Sequence, residues 1–299
     1  MNLQKPEQTF ILENADAPVP LIFESSHSGL LYPDDFRYAC PFPELERMED
    51  RYVEDLFSAA PDHGAALLHA LYARSYIDLN RAADDIDPNL LEGEWPHETH
   101  GPARPTARSD AGIGLISRLI KPGLPVYTRS LNADEILHRI MHYYRPYHTA
   151  LESLIETAHY RFGAVWHISC HSMPASSATP RRAPKLVGNR ILPSDFVLGN
   201  RDGTTCGPEF VHAAQSFLKQ QGFRVTINDP YKGVELIQRY SQPTRGRHSL
   251  QIEINRSLFM DEASGEKTEK YLNIKGKIAD FIEFLSVYCR NNLTSVAAD

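Results

Sequence analysis

Apolar residues recur along this chain with two periods, two and 3.6, and the switching between them predicts strands alternating with helices. The clearest strand covers 249–257, where Leu250, Ile252 and Ile254 face one side and Gln251, Glu253 and Asn255 the other. Apolar runs predict strands at 18–23, 65–70, 223–227 and from Ala164 to His171; Ile77 and Leu79, alternating with Asp78 and Asn80, predict one at 75–81. Helical spacing predicts helices over 46–60, 134–162, 204–221 and 268–289, with Met141 on the buried stripe of the second and Leu272 packed by the last. Pro61 closes the first helix, Pro146 bends or breaks the second, and Gly222 stops the third. Residues 82–114, punctuated by prolines and glycines, read as a long functional or mobile loop, and 175–184 as a polar loop bordering a site. The whole predicts an α/β fold, a single three-layer domain over 1–299 with its core at about 18–290, one sheet flanked by helices.

Composition narrows the partners. A content of 42% hydrophobic and 23% charged residues is that of a globular protein rather than a disordered one. A net charge of −7 argues against nucleic acid or an anionic membrane as partner and leaves a small molecule. Cys40, Cys170, Cys206 and Cys289 form no CxxC pair, and no apolar run approaches the ~20 residues of a membrane span, so reduced thiols and a cytoplasmic location are expected.

Against that background one figure stands out because it occurs twice. Leu21-Ile22-Phe23 leads into Ser25-Ser26-His27-Ser28, and the run from Ala164 leads into Ser169-Cys170-His171-Ser172, so two core-directed strands each deliver a histidine inside Ser-x-His-Ser at the carboxyl end, where open α/β sheets bind ligands. Two histidines and a carboxylate are a common catalytic zinc set. Asp50 and Glu54, at i and i+4 on the predicted helix 46–60, are the candidate carboxylates, and the longer Glu54 is the first choice. Glu253, polar between two apolar neighbours, is the candidate general acid and base. Arg81 and Arg256 each end an acid-x-Asn-Arg pattern and can fork onto a substrate carboxylate; Arg118, Lys232 and His248, near glycines in predicted turns, are further substrate-binding candidates. His97-Glu98-Thr99-His100 is one residue short of the zincin spacing and lies in a predicted loop, so it is set aside, and no nucleophile elbow, P-loop or dinucleotide fingerprint is present.

The segments PLIFESSHSGLLYP, EDRYVEDLF, YIDLNR, GLISRLIKPGLPVY, YRPYHTAL, CHSMP, NDPYKG and HSLQIEINRSLFMDE, in this order over roughly residues 20–262, resemble the N-formylglutamate amidohydrolases. The resemblance implies kinship with zinc carboxypeptidases and aspartoacylases, a mixed sheet between helices, one divalent metal such as zinc, and amide hydrolysis at an acidic acyl-amino acid. It also gives Asn80-Arg81 the role of the carboxylate-binding Asn-Arg pair. Two departures stand: Gly233-Val234 replaces a glycine pair, and Leu30, three residues after His27, rules out a His-x-x-Glu ligand spacing. The expected function is thus metal-dependent removal of an N-formyl or other N-acyl group from glutamate or a similar acidic amino acid, as in histidine catabolism. The alternative is a metal-free small-molecule binding protein on the same scaffold.

Overall fold

A computed structural model describes residues 7–181 and 192–293, so residues 182–184 of the predicted loop 175–184 lie outside the described residues. Seven strands form the main sheet: β1 (Phe10–Glu13), β2 (Leu21–Ser25), β3 (Ala66–Ala70), β4 (Val165–Met173), β5 (Phe196–Gly199), β6 (Val225–Ile227) and β7 (Arg247–Asn255). Their order is β1-β3-β2-β4-β7-β5-β6. β2 and β7 run parallel to β4, β5 runs antiparallel to β7, and β6 is parallel to β5, which makes the sheet mixed. The principal helices are α1 (Ala133–Arg139), α2 (Arg145–Phe162), α3 (Pro208–Gln220), α4 (Glu235–Tyr240) and α5 (Tyr271–Asn291). Among the described residues no helix is long and apolar enough to cross a membrane.

The chain forms two compact units, Met1–Ile11 with Ser26–Asp50 and His69–Leu151, and Leu12–Ser25 with Arg51–Leu68 and Glu152–Asp299. In the second unit, alternation decides which side chains meet. Leu21 and Phe23 of β2, Trp166, Ile168 and Cys170 of β4, and Leu250, Ile252 and Ile254 of β7 join one buried cluster with α3 and α5. A fully buried Leu, Ile or Phe contributes roughly 1.5–3 kcal/mol, and a one-residue slip of register would expose the whole set. That register turns Glu24, His167, Ser169, His171, Ser249, Gln251 and Glu253 to the opposite face, where α4 packs against β4 and β7. Helix, sheet and helix are thus layered within this unit.

The first unit is largely irregular. Its centre is Arg139, 1% exposed, whose guanidinium lies 4.0 Å from the Tyr76 ring centroid and donates through Nη1 to Tyr76 O and Tyr127 Oη, each at 2.8 Å. Gly29 is required to be small, since a Cβ there would fall 2.3 Å from Tyr72 O.

Several expected elements take another form. The stretch 46–60 is not one helix: Phe42–Glu46 and Val53–Leu56 are short turns, and Tyr52 between them has a left-handed φ of 70°. Buried polar partners override the periodicity there, because Glu49 and Asp50 are each 1% exposed and must be satisfied away from water. Residues 75–81 form turns rather than a strand, with Tyr76 N donating to Ala73 O and Asp78 N to Leu115 O. His97–His100 is a single exposed helical turn, not loop. Between α1 and α2 the chain passes through a π-helical turn, Ile140–Tyr144. Pro146 has no N–H to donate, and its ring opposes the His142 carbonyl, which favours the wider turn upstream. The added residue rotates Met141 outward to 43% exposure, and Leu272, a neighbour of the inward Tyr271, is 78% exposed. β4 continues two residues beyond His171, so that histidine sits inside the strand rather than at its last position.

Candidate active site

His27 follows β2 by two residues, and its two ring nitrogens are placed by two aspartates. Nε2 lies 2.7 Å from Asp78 Oδ1 and Nδ1 lies 3.5 Å from Asp50 Oδ2. Burial alone would raise the Asp78 carboxyl, but Arg74, Arg81 and His27 together hold it well below the usual carboxylate range. An ionised carboxylate only accepts, so Nε2 donates to Asp78 Oδ1. Asp50 is positioned by its own N–H, which donates to His27 O at 2.9 Å. Its neighbour Glu49 accepts from Arg74 N at 2.8 Å and Ser75 Oγ at 2.7 Å; burial, opposed by these donors, pushes its carboxyl up to about 8.

In the second unit His171 of β4 lies opposite Glu253 of β7 in the parallel register, so both side chains rise from the same face. Each is held from two residues back: Ser169 Oγ is 2.9 Å from His171 Nε2, and Gln251 Nε2 donates to Glu253 Oε1 at 2.8 Å. Farther down this face His167 Nδ1 lies 3.2 Å from Ser249 Oγ, and its Nε2 lies 4.0 Å from Glu24 Oε1. Burial pushes the His167 imidazole down to about 4, against the pull of Glu24. An unfolded histidine titrates near 6.5, so between these values the unfolded chain binds the extra proton and folding stability falls as pH falls. The drop amounts to about 3 kcal/mol and levels off below pH ~4. His167→Gln is expected to remove this part of the slope in chemical denaturation between pH 7 and 4; an unchanged slope would show that His167 titrates normally.

β2 lies beside β4 with Glu24 opposite Ser169, so the two parallel strands carry their histidines toward the same carboxyl edge. Among the described residues, one group can hold a metal ion: His27, Asp50 and His171, all buried, each with a ligand atom within 4.8 Å of the others. The N, N, O donor set and its burial fit a divalent transition metal. Glu54, the first-choice carboxylate from sequence, is not in this group; it is partly exposed and follows the left-handed Tyr52, which ends any shared helix flank with Asp50.

The other candidates separate clearly. Asn80 N donates to Asp78 Oδ1 at 2.9 Å, and Arg81 lies 3.7 Å from Asp78 Oδ2, so both stand around the His27 partner. Arg256 is buried and donates through Nε to Ser172 Oγ at 3.0 Å, next to His171. Arg118 is tied to Asp87 at 2.7 Å. Lys232 is paired with Asp202 at the surface. His248 corrects the expectation of a substrate-binding turn: it lies in β7, opposite Trp166 on the apolar face, stacked on that ring at 5.4 Å and accepting from Gly207 N. Five residues along the strand separate it from Glu253, about 17 Å at 3.3 Å per residue. The sequence does not single out Arg74 or Gln251, and it gives Ser169 only as the first member of the Ser-x-His-Ser figure. Arg74 donates to Asp78 Oδ2 at 2.6 Å, and the signal for the other two was their i−2 spacing from His171 and Glu253.

The sequence model of the family described as N-formylglutamate amidohydrolase matches residues 19–260. The N-formylglutamate deformylase of Pseudomonas putida is 26% identical over 249 residues, 82% of this chain and 83% of that protein; the Pseudomonas aeruginosa deformylase is 26% identical over 216 residues, 71% of each. The crystal structure of N-formylglutamate amidohydrolase from Ralstonia eutropha JMP134 superposes with a TM-score of 0.88 at 42% identity, over 95% of this chain and 99% of that one. Agrobacterium tumefaciens Atu2144, at 16% identity and a TM-score of 0.63 over 97% and 96%, shares the fold. With four-fifths of its length matched by one family, the chain belongs to the N-formylglutamate amidohydrolases.

Proposed function

We propose that this protein is a metal-dependent amidohydrolase that removes the formyl group from N-formylglutamate, with His27, Asp50 and His171 as ligands of one divalent ion, zinc being the metal these donors suit best. The observation that carries the reading is the placement of three buried donors of catalytic-zinc type within 4.8 Å in a chain of this family. Asp78 accepts the Nε2 proton of His27 and makes Nδ1 the more basic ligand, while Arg74 and Arg81 keep Asp78 ionised. Ser169 can accept from His171 Nε2, which leaves Nδ1 of that ring as its donor. The bound ion supplies Lewis acidity, polarising the formyl carbonyl and lowering the pKa of water. Glu253 takes a proton from the attacking water and returns it to the amide nitrogen as the C–N bond breaks, releasing formate and glutamate.

Arg81 and Arg256 give this reading its selectivity. Both are buried, and a guanidinium meets a carboxylate with two parallel donors. Arg81 donates through Nη1 to Asn80 O and through Nε to Ile113 O, and its Nη2 lies 3.7 Å from Asp78 Oδ2, contacts that fix the plane of the guanidinium. Removing a carboxylate that faces such a cation costs about 2–5 kcal/mol, on the order of 30- to 5000-fold. Purified protein containing one equivalent of divalent metal is therefore expected to cleave N-formylglutamate over N-formylglutamine by such a factor, and Arg81→Ala to erase much of the preference. Equal specificity constants for the two substrates would sink acidic selection. Binding without hydrolysis by metal-free protein would replace the enzyme with a binding protein.

A further inference from the structure

One step back along β4 and β7 from His171 and Glu253 lies a second buried polar pair, Ser169 and Gln251, opposite each other in register and 0% and 3% exposed. Because side chains two apart on a strand share a face, each reaches its own successor. Gln251 does more than that. Its Nε2 donates to Glu253 Oε1 at 2.8 Å, and its Oε1 accepts from Val234 N at 3.3 Å, so one amide joins the carboxylate to the backbone leaving the Asn228–Gly233 turn.

Two glycines clear the way for that contact. Gly199 of β5 lies opposite Gln251, and a Cβ there would fall 2.7 Å from the Lys232 carbonyl carbon, so the turn rests directly on the sheet because this position has no side chain. Gly233 has a φ of +90°, and a Cβ on it would lie 2.1 Å from Ile237 Cδ1 and 3.5 Å from Gln251 Cβ. A buried amide costs about 1–3 kcal/mol when left unsatisfied, so a glutamine here is tolerated only because both of its ends are used.

We infer that Gln251 is a positioning residue for the reaction: it fixes the orientation of the Glu253 carboxylate and ties it to the Asn228–Gly233 turn. The inference rests on Glu253 being the proton carrier. With Oε1 held, rotation about the last bond of the side chain is blocked, and the carboxylate meets the attacking water in one orientation. A misplacement of 1 Å at a reacting group can cost about 100-fold.

Gln251→Met keeps the length and volume of the side chain and removes the donor. It is expected to lower kcat by about 10- to 100-fold while KM and metal content, read by elemental analysis, stay within about 3-fold. The decisive measurement is the double variant in single-turnover kinetics. A residue acting only through Glu253 adds nothing once Glu253 is Gln, so Gln251→Met with Glu253→Gln should match Glu253→Gln alone, whereas a purely structural role multiplies the two losses. Should the Met variant unfold, Gln251→Glu preserves the shape and sets an acceptor against Glu253. It should lose at least as much on its own, and nothing beyond Glu253→Gln in the double, where the Gln at 253 donates back. Unchanged kcat in Gln251→Met, or multiplying losses, overturns the inference and leaves Glu253 in place. Wild-type turnover in Glu253→Gln overturns the base itself, and the positioning role with it.

Discussion

Asp50→Ala is expected to strip the protein of its metal and of its activity, whereas Glu54→Ala should retain both. Asp50 is 1% exposed, its Oδ2 lies 3.5 Å from His27 Nδ1, and its backbone N–H is anchored to His27 O, so the carboxylate and the imidazole are fixed relative to each other before any ion binds. Removing a group that only supports a ligand typically costs 10- to 100-fold in metal affinity, and removing the ligand itself should exceed about 100-fold. Glu54 sits beyond the left-handed Tyr52, partly exposed, outside the group of converging donors. Metal content after dialysis, measured by elemental mass spectrometry alongside formate release, tests both variants. A Glu54→Ala protein without metal beside an Asp50→Ala protein that keeps it would reverse the assignment.

The contrast between these carboxylates shows where sequence reading works and where it stops. β7 was legible because Leu250, Ile252 and Ile254 alternate with Gln251, Glu253 and Asn255, and burial of one face leaves the other polar set a single direction. β4 was legible from the apolar run that begins at Ala164, and the Ser-x-His-Ser endings from their repetition. Periodicity carries no tertiary partner, however. Helical spacing over 46–60 said nothing of Arg74 and Ser75, whose donors draw Glu49 inward and break the helix before Asp50 and Glu54 can share a flank. For the same reason Asp78 was legible only as the first member of an acid-x-Asn-Arg pattern, although its main contacts are His27, 51 residues away, and Arg74. His248 was misread because nearness to a glycine in sequence does not say which end of a strand, or which face, a residue occupies; pairing with Trp166 does.

Glu253→Gln should separate binding from chemistry. The side chain is 8% exposed and rises from the sheet beside His171, with Gln251 fixing one oxygen, so an amide of the same size fits the same space. Metal content and KM are therefore expected to remain near wild type. What the amide cannot do is accept a proton from water and deliver it to the departing nitrogen, and losing positioned acid–base catalysis lowers kcat by about 100- to 10,000-fold. An amine poorer at leaving needs that proton more, so the loss should shrink when the formyl group is carried on an activated leaving group and persist when it is carried on glutamate. Steady-state rates for both substrates, with metal quantified in the same preparations, give the test. If metal is lost with the substitution, Glu253 is a ligand rather than a proton carrier; if both rates stay at the wild-type level, the proton is moved by another group.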